Sequence, residues 1–408
     1  MRMERIEEVV GILVEQRGHG PADMLIVFSS GASAHVAHSR RSDIQTRQQA
    51  CARRPKNWKR QHAKGGPPPQ GGHMAETSST RRGDRGPSLD PDIERFVARI
   101  AQAYSGQRPI AECSRAEARA VAEIVRAPWA AGGPRMDRTF EVAAPTPHGD
   151  VRLRLHDPFP SEHPKPILVY AHGGGWVMFS LDTHDRLMRE YASRAGVIVA
   201  GVDYTLSPEA RFPVALEQIA AAISWIGEHA EELGADRDRI AAGGDSAGAN
   251  MALATAVLLR DRGDVDLLKA LHLHYGAFDT EIEPEWERRF GGPGAMLTSA
   301  EMDGFWDSYL RGTADADNPL AVPAQAKLEG LPPVFLTIPE CDVLTGQSLD
   351  LARRMQSSGV KVQAEVYRGA THSFLEAAEI SPLARKAIQD GADWLKALLS
   401  TDLARSRQ

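Results

Sequence analysis

Arg239-Ile-Ala-Ala-Gly-Gly-Asp-Ser-Ala-Gly-Ala-Asn250 decides how this chain is read, because Gly244-x-Ser246-x-Gly248 stands in it between a strand-like run and a helix-like run. That is the form of a nucleophile elbow. A serine hydroxyl becomes a useful nucleophile when it stands clear of the backbone, which a sharp strand-to-helix turn achieves if its neighbours are small. Gly244, Ala247 and Gly248 meet that condition. The pattern alone is weak, since a glycine-rich chain supplies it by chance. Its partners decide.

Upstream lies Ala171-His172-Gly173-Gly174-Gly175-Trp176, where a strand runs directly into three glycines. Without Cβ atoms, Gly173, Gly174 and Gly175 let the backbone present N–H groups to a ligand oxygen. Attack on an ester carbonyl concentrates charge on its oxygen, and losing one donor to that charge typically costs ~3 kcal/mol of barrier. A histidine is expected late in the chain, and His372 follows the last strand and precedes the last helix. Asp342 follows the preceding strand, which gives the chain order Ser, Asp, His; Glu340 is its competitor. The acid's task is to hold the imidazole in one tautomer and stabilise its charged form. His272 and His274, on one strand, are expected to face opposite layers, and Asp245 is tied to the elbow itself.

Around these residues the pattern alternates strand with helix. An antiparallel pair is expected at Arg138 to Val142 and Val151 to His156, followed by strands at Ile167 to Ala171, Val197 to Val202, Arg239 to Gly243, Ala270 to Tyr275, Val334 to Ile338 and Val362 to Tyr367. Helices fall at about Leu181 to Arg194, Val214 to Glu232, Ala247 to Arg262, Thr345 to Ser358 and Pro382 to Leu399. Such alternation implies an α/β fold, a mostly parallel central sheet with helices on both faces. Two helices precede the strands. One begins after Asp90, with Ile93, Phe96, Val97, Ile100 and Tyr104 at helical spacing; the other follows the capping box Ser114-x-x-Glu117 and is expected to end before Pro128. An insertion between Asp279 and Lys327 holds another capped helix, from Thr298-x-x-Glu301 to Leu310.

Composition bounds the rest. The chain has 408 residues and a net charge of -6, but residues 1–73 carry 12 Lys/Arg against 6 Asp/Glu, leaving 36 against 48 for the remainder. An acidic body gives no electrostatic footprint for nucleic acid, and the basic N-terminal part lacks a nucleic-acid motif. Residues 1–87 end in Pro/Gly-rich sequence and read as a disordered extension; residues 88–408 read as the catalytic domain. Cys51, Cys113 and Cys341 are widely separated, odd in number and without metal-ligand spacing, so neither a zinc site nor a disulfide framework is expected. With neither a signal peptide nor a membrane span in the sequence, the expected location is the cytoplasm.

Taken together, the glycine loop, Asp203-Tyr-Thr-Leu-Ser-Pro-Glu-Ala-Arg-Phe-Pro213, Gly244-Asp-Ser-Ala-Gly248, Asp342-Val-Leu and His372-Ser-Phe resemble the bacterial hormone-sensitive-lipase-type esterases. Within that group the chain is similar to the acetyl esterases, from about residue 88 to the C-terminus. The resemblance implies an α/β-hydrolase fold with a helical cap, here about 88–130 and 279–327, and hydrolysis of short-chain acyl esters without cofactor or metal. It makes Ser246 the nucleophile, His372 the general base and then acid, and Asp342 its orienting carboxylate. The oxyanion hole is expected in Gly173, Gly174, Gly175 and Ala247, most of all Gly174, Gly175 and Ala247; which two glycines point inward is left open. Residues 203–213 are expected to support the loop. One position departs from the family pattern: Phe179 stands where glycine is usual, and its bulk is expected to alter the loop or narrow the acyl pocket. Amide hydrolysis or acyl transfer on the same triad, and a non-enzymatic ligand receptor, are the alternative functions. The expected partner is a small ester, and the expected state a monomer or homodimer.

Overall fold

The computed structural model describes residues 87–400; the extension expected at residues 1–87 falls almost entirely outside them. Its strands are β1 Arg138–Ala144, β2 Val151–Asp157, β3 Lys165–Ala171, β4 Ile198–Val202, β5 Ala235–Asp245, β6 Leu268–His274, β7 Val334–Pro339 and β8 Val362–Tyr367. They form one sheet in the order β1-β2-β4-β3-β5-β6-β7-β8. The first two junctions, β1 with β2 and β2 with β4, are antiparallel, and the others are parallel. This is the α/β-hydrolase arrangement that the motifs imply.

Eleven α-helices accompany the sheet among the described residues: α1 Pro91–Ser105, α2 Arg115–Ala130, α3 Asp185–Ala195, α4 Val214–Glu228, α5 Ala230–Leu233, α6 Ala247–Arg262, α7 Pro284–Phe290, α8 Ser299–Tyr309, α9 Thr313–Ala316, α10 Thr345–Ser357 and α11 Pro382–Leu399. Side chains alternate across a strand, so β3 sends Ile167 and Val169 to one core and Leu168 and Tyr170 to another. The first core packs α4, α6 and α10 against the sheet, and the second packs α1, α2, α3 and α11. None of the described helices is long and apolar enough to cross a membrane.

Local signals translate directly. Asp90 caps α1, and both Ser114-x-x-Glu117 and Thr298-x-x-Glu301 form complete capping boxes. Two expectations fail. Helix α2 runs through Pro128 to Ala130. The amide lost at Pro128 would have bonded the carbonyl of Ile124, which sits on the exposed side of the helix, while Trp129 is buried edge-on to Phe96 at 4.7 Å. Burying the indole holds the last turn. His272 and His274 share one face, because residues two apart on a strand point the same way. Their rings lie 4.4 Å apart, and both pack on Tyr191 of α3.

Buried histidines make the fold acid-sensitive. Burial holds His172 down at about 3 and His156 and His274 at about 4, and pushes His272 well below the usual histidine value. In the unfolded chain these rings take up protons near pH ~6.5. Between about 6.5 and about 4 the unfolded chain therefore binds more protons, so stability falls as pH is lowered through that window. His184 has the opposite sign. Burial opposes its charged form, but the charge and hydrogen bond of Asp245 outweigh burial and raise its pKa. Its contribution grows as pH falls toward the unfolded value and is constant below it, so it offsets part of the change between pH 7.5 and about 6.5 and none of the loss below that. Urea titrations should give a lower midpoint at pH 4.5 than at pH 7.5; equal midpoints would contradict this.

Candidate active site

The elbow is built by close backbone approach. A Cβ on Gly244 would lie 2.3 Å from the carbonyl oxygen of Ala171, and one on Gly248 only 1.9 Å from the same atom. Both glycines are thus required by the end of β3, which runs beside β5 with Ala171 opposite Gly244. Between them Ser246 adopts φ 52°, a left-handed conformation costly for a side-chain-bearing residue. Its amide donates to the carbonyl of His274 at 2.9 Å, while its own carbonyl accepts from Asn250 of α6 at 3.2 Å.

At the level of this turn, β3 becomes the glycine loop. Asp245 turns back toward that loop, and its Oδ1 accepts from the amide of Gly173 at 3.0 Å and from the Tyr170 hydroxyl at 2.9 Å. Its Oδ2 meets His184 Nε2 at 3.3 Å. Burial opposes ionisation of Asp245, but the charge and hydrogen bond of His184 and the Tyr170 hydroxyl prevail and hold its carboxyl at about 2. The Gly173 amide is therefore spent on Asp245, which corrects its expected place as an oxyanion donor. Among the described residues, the amides of Gly174, Gly175 and Ala247 have no protein acceptor.

The three distant side chains meet here. His372 Nε2 lies 3.0 Å from Ser246 Oγ, and Nδ1 lies 2.7 Å from Asp342 Oδ2. A carboxylate only accepts, so the proton belongs on Nδ1, and Nε2 is left with a lone pair facing the serine hydroxyl. Asp342 is held from the other side by the amide of Leu344, which donates to Oδ1 at 3.0 Å. Glu340 is engaged elsewhere, its Oε2 accepting from the amide of Gly369 at 3.0 Å. All three relay residues are buried, and the Tyr275 ring stands edge-on to the imidazole with centroids 5.0 Å apart.

A family model for the alpha/beta hydrolase fold matches residues 168–376, a span that holds the glycine loop, the elbow, the acid and the histidine. The chain belongs to the α/β-hydrolase family, among its hormone-sensitive-lipase-type esterases. An acetyl esterase of Salmonella schwarzengrund is 38% identical over 278 residues, covering 67% of this chain and 84% of that one. A hyperthermophilic esterase from the archaeon Pyrobaculum calidifontis superposes with a TM-score of 0.71 at 30% identity, over 77% of this chain and 100% of its own. A thermostable esterase from Pseudomonas putida gives the same TM-score at 29% identity, over 77% and 99%.

As a member of this esterase family the chain carries backbone strain around its site. Among the described residues, the non-glycine positions with positive φ are Trp176, Phe179, Ser246, Tyr275 and Ser373. Two follow the glycine loop, one is the elbow serine, one leaves β6 beside it, and one follows His372. Strain of this kind persists where the surroundings over-determine it, as at functional sites. The segment 203–213 is part of those surroundings, as its sequence suggests. The Tyr204 hydroxyl donates to the carbonyl of His172 at 2.8 Å, and the amide of Ser207 to that of Trp176 at 2.8 Å. Residue-level reading misses Arg119, which reaches from α2 to the carbonyls of Val177 and Ser207 at 2.8 and 3.0 Å. It also misses the anchoring role of Asp245, for which the only local signal is a buried acid beside the serine.

Proposed function

We propose that Ser246, His372 and Asp342 are the catalytic triad of a serine carboxylesterase that hydrolyses short-chain acyl esters, acetyl-like, through an acyl-enzyme. The single observation that carries this reading is the unbroken 2.7 and 3.0 Å relay from Asp342 through His372 to Ser246 Oγ. As Oγ bonds to the ester carbonyl carbon, its proton passes to His372 Nε2. Asp342 stabilises the imidazolium without taking its proton. The carbonyl oxygen becomes an oxyanion, received by amides among Gly174, Gly175 and Ala247. The carbon–oxygen bond to the alcohol then breaks, and His372 gives the proton to the departing oxygen. Water enters, loses a proton to His372 and attacks the acyl-enzyme, and the proton returns to Ser246 as the carboxylic acid leaves.

Residues 88–130 and 279–327 are read as the cap over this site. The supporting contacts are Phe305 of α8, against whose ring a Cβ on Gly175 would come to 2.3 Å, and Arg119 of α2, which donates to the carbonyl of Val177 at 2.8 Å. A short acyl chain is supported by the likeness to the Salmonella acetyl esterase. The free thiols of Cys113 and Cys341 favour a reducing compartment, the cytoplasm. The test is a series of p-nitrophenyl esters from acetate to dodecanoate with product analysis. The expected result is the highest kcat/KM between acetate and hexanoate with free carboxylic acid as the product. A preference for dodecanoate, or transfer of the acyl group to an acceptor other than water, would refute it.

A further inference from the structure

We propose that Phe179 is the selectivity-determining wall of the ester site, limiting the length of the substrate group that runs past Gly174. This rests on the reading of Ser246 as a short-chain esterase nucleophile. Among the three glycines of the loop, Gly173 and Gly175 are buried and Gly174 is partly exposed, and the Gly174 amide is one of the proposed oxyanion donors. A Cβ on Gly174 would come within 2.9 Å of Phe179 Cδ2, which places the phenyl ring against that residue.

The ring is held from behind. Its centroid lies 5.0 Å from the Arg126 guanidinium and 6.0 Å from the His184 ring. A cation over an aromatic face is attracted to it. Arg126 is itself buried, and its Nη1 donates to Glu376 Oε2 at 2.9 Å. Glu376 lies four residues beyond His372, so the ring is fixed between the glycine loop and the histidine loop. Phe179 also has φ 71°, a backbone conformation that glycine adopts freely and a side-chain-bearing residue only at a cost. A glycine here would relax the backbone and remove the ring, leaving the Met178 carbonyl, whose oxygen would lie 2.2 Å from the same Cβ, as the remaining neighbour on that side of Gly174. A bulky residue kept against its backbone preference points to a role for the ring.

The experiment compares the parent enzyme with Phe179→Gly and Phe179→Leu on two substrate series. One varies acyl length with p-nitrophenol as the leaving group, and the other varies alcohol length with acetate as the acyl group. Phe179→Gly is expected to lower the short-over-long kcat/KM ratio at least tenfold in one series, and Phe179→Leu, which keeps most of the bulk, to stay within threefold of the parent ratio. Glycine suits φ 71°, so the variant is expected to fold, and its thermal unfolding midpoint is recorded alongside. A parent that prefers short chains, with Phe179→Gly unchanged in both series, overturns the wall alone. A parent without short-chain preference overturns the reading beneath it as well.

Discussion

Ser246→Ala is expected to lower kcat/KM on p-nitrophenyl acetate by about 10⁴-fold or more. The side chain is one hydroxyl smaller, and the elbow glycines that the backbone requires are untouched, so the fold is retained and circular dichroism should match the parent. What is lost is the atom 3.0 Å from His372 Nε2, and with it the covalent route. The same assay separates the two acids near the histidine. Asp342→Asn keeps the shape but lets an amide donate toward Nδ1, which favours the wrong tautomer, and a loss of about 10³- to 10⁴-fold is expected. Glu340→Gln touches the amide of Gly369 and not the imidazole, so its activity should remain within tenfold. Ser246→Ala retaining a tenth of parental activity would remove the serine from the mechanism. Equal losses at residues 340 and 342 would remove the assignment of the acid.

Gly248→Ala is expected to be the most destabilising single methyl addition around the site. The new carbon would lie 1.9 Å from the carbonyl oxygen of Ala171, 2.7 Å from its carbonyl carbon and 2.8 Å from the carbonyl oxygen of His172. All three atoms are backbone at the end of a central strand hydrogen-bonded on both sides, so none can swing aside as a side chain would. The elbow or the strand must move, and a loss of about 4 kcal/mol or more is expected, the range reserved for disruptions of the core. Gly263, which caps the far end of the same helix at φ 92°, has no atom within 4 Å of its notional Cβ. Gly263→Ala should therefore cost only the left-handed backbone penalty, ~1 kcal/mol. Urea unfolding of the two variants decides it, and comparable losses would mean that conformation, not close approach, explains the glycine.

The parts of the structure legible in the sequence are those decided locally. Capping boxes at Ser114 and Thr298 involve residues three apart, and apolar runs such as Ile167 to Ala171 report burial on both faces of a strand. The residues of the proposed triad are legible for another reason: each follows a strand at the same end of a parallel sheet, so chain order limits the choices. Other features depend on residues far apart in sequence. Strand β5 starts at Ala235 with a charged stretch, Asp236-Arg-Asp-Arg239, that an apolar-run criterion passes over; Ala235 pairs with Lys165 across the sheet. That the Gly173 amide goes to Asp245 depends on a contact across 72 residues. Pro128 misled because a helix-breaking signal is local, whereas the burial of Trp129 that overrides it is not. The shared face of His272 and His274 follows from the two-residue period of a strand alone.

Ala171 and Gly244 are partners in the ladder between β3 and β5, and the glycine loop and the serine turn leave the sheet from these two residues. Adjacent strands are spaced by their hydrogen bonds at ~4.8 Å. The gap between nucleophile and amide donors is thus a property of the backbone lattice, indifferent to whatever side chains cover it. On the proposed function, residue 179 and the covering helices can diverge and change which ester is admitted, while the reaction, set by the ladder, stays the same.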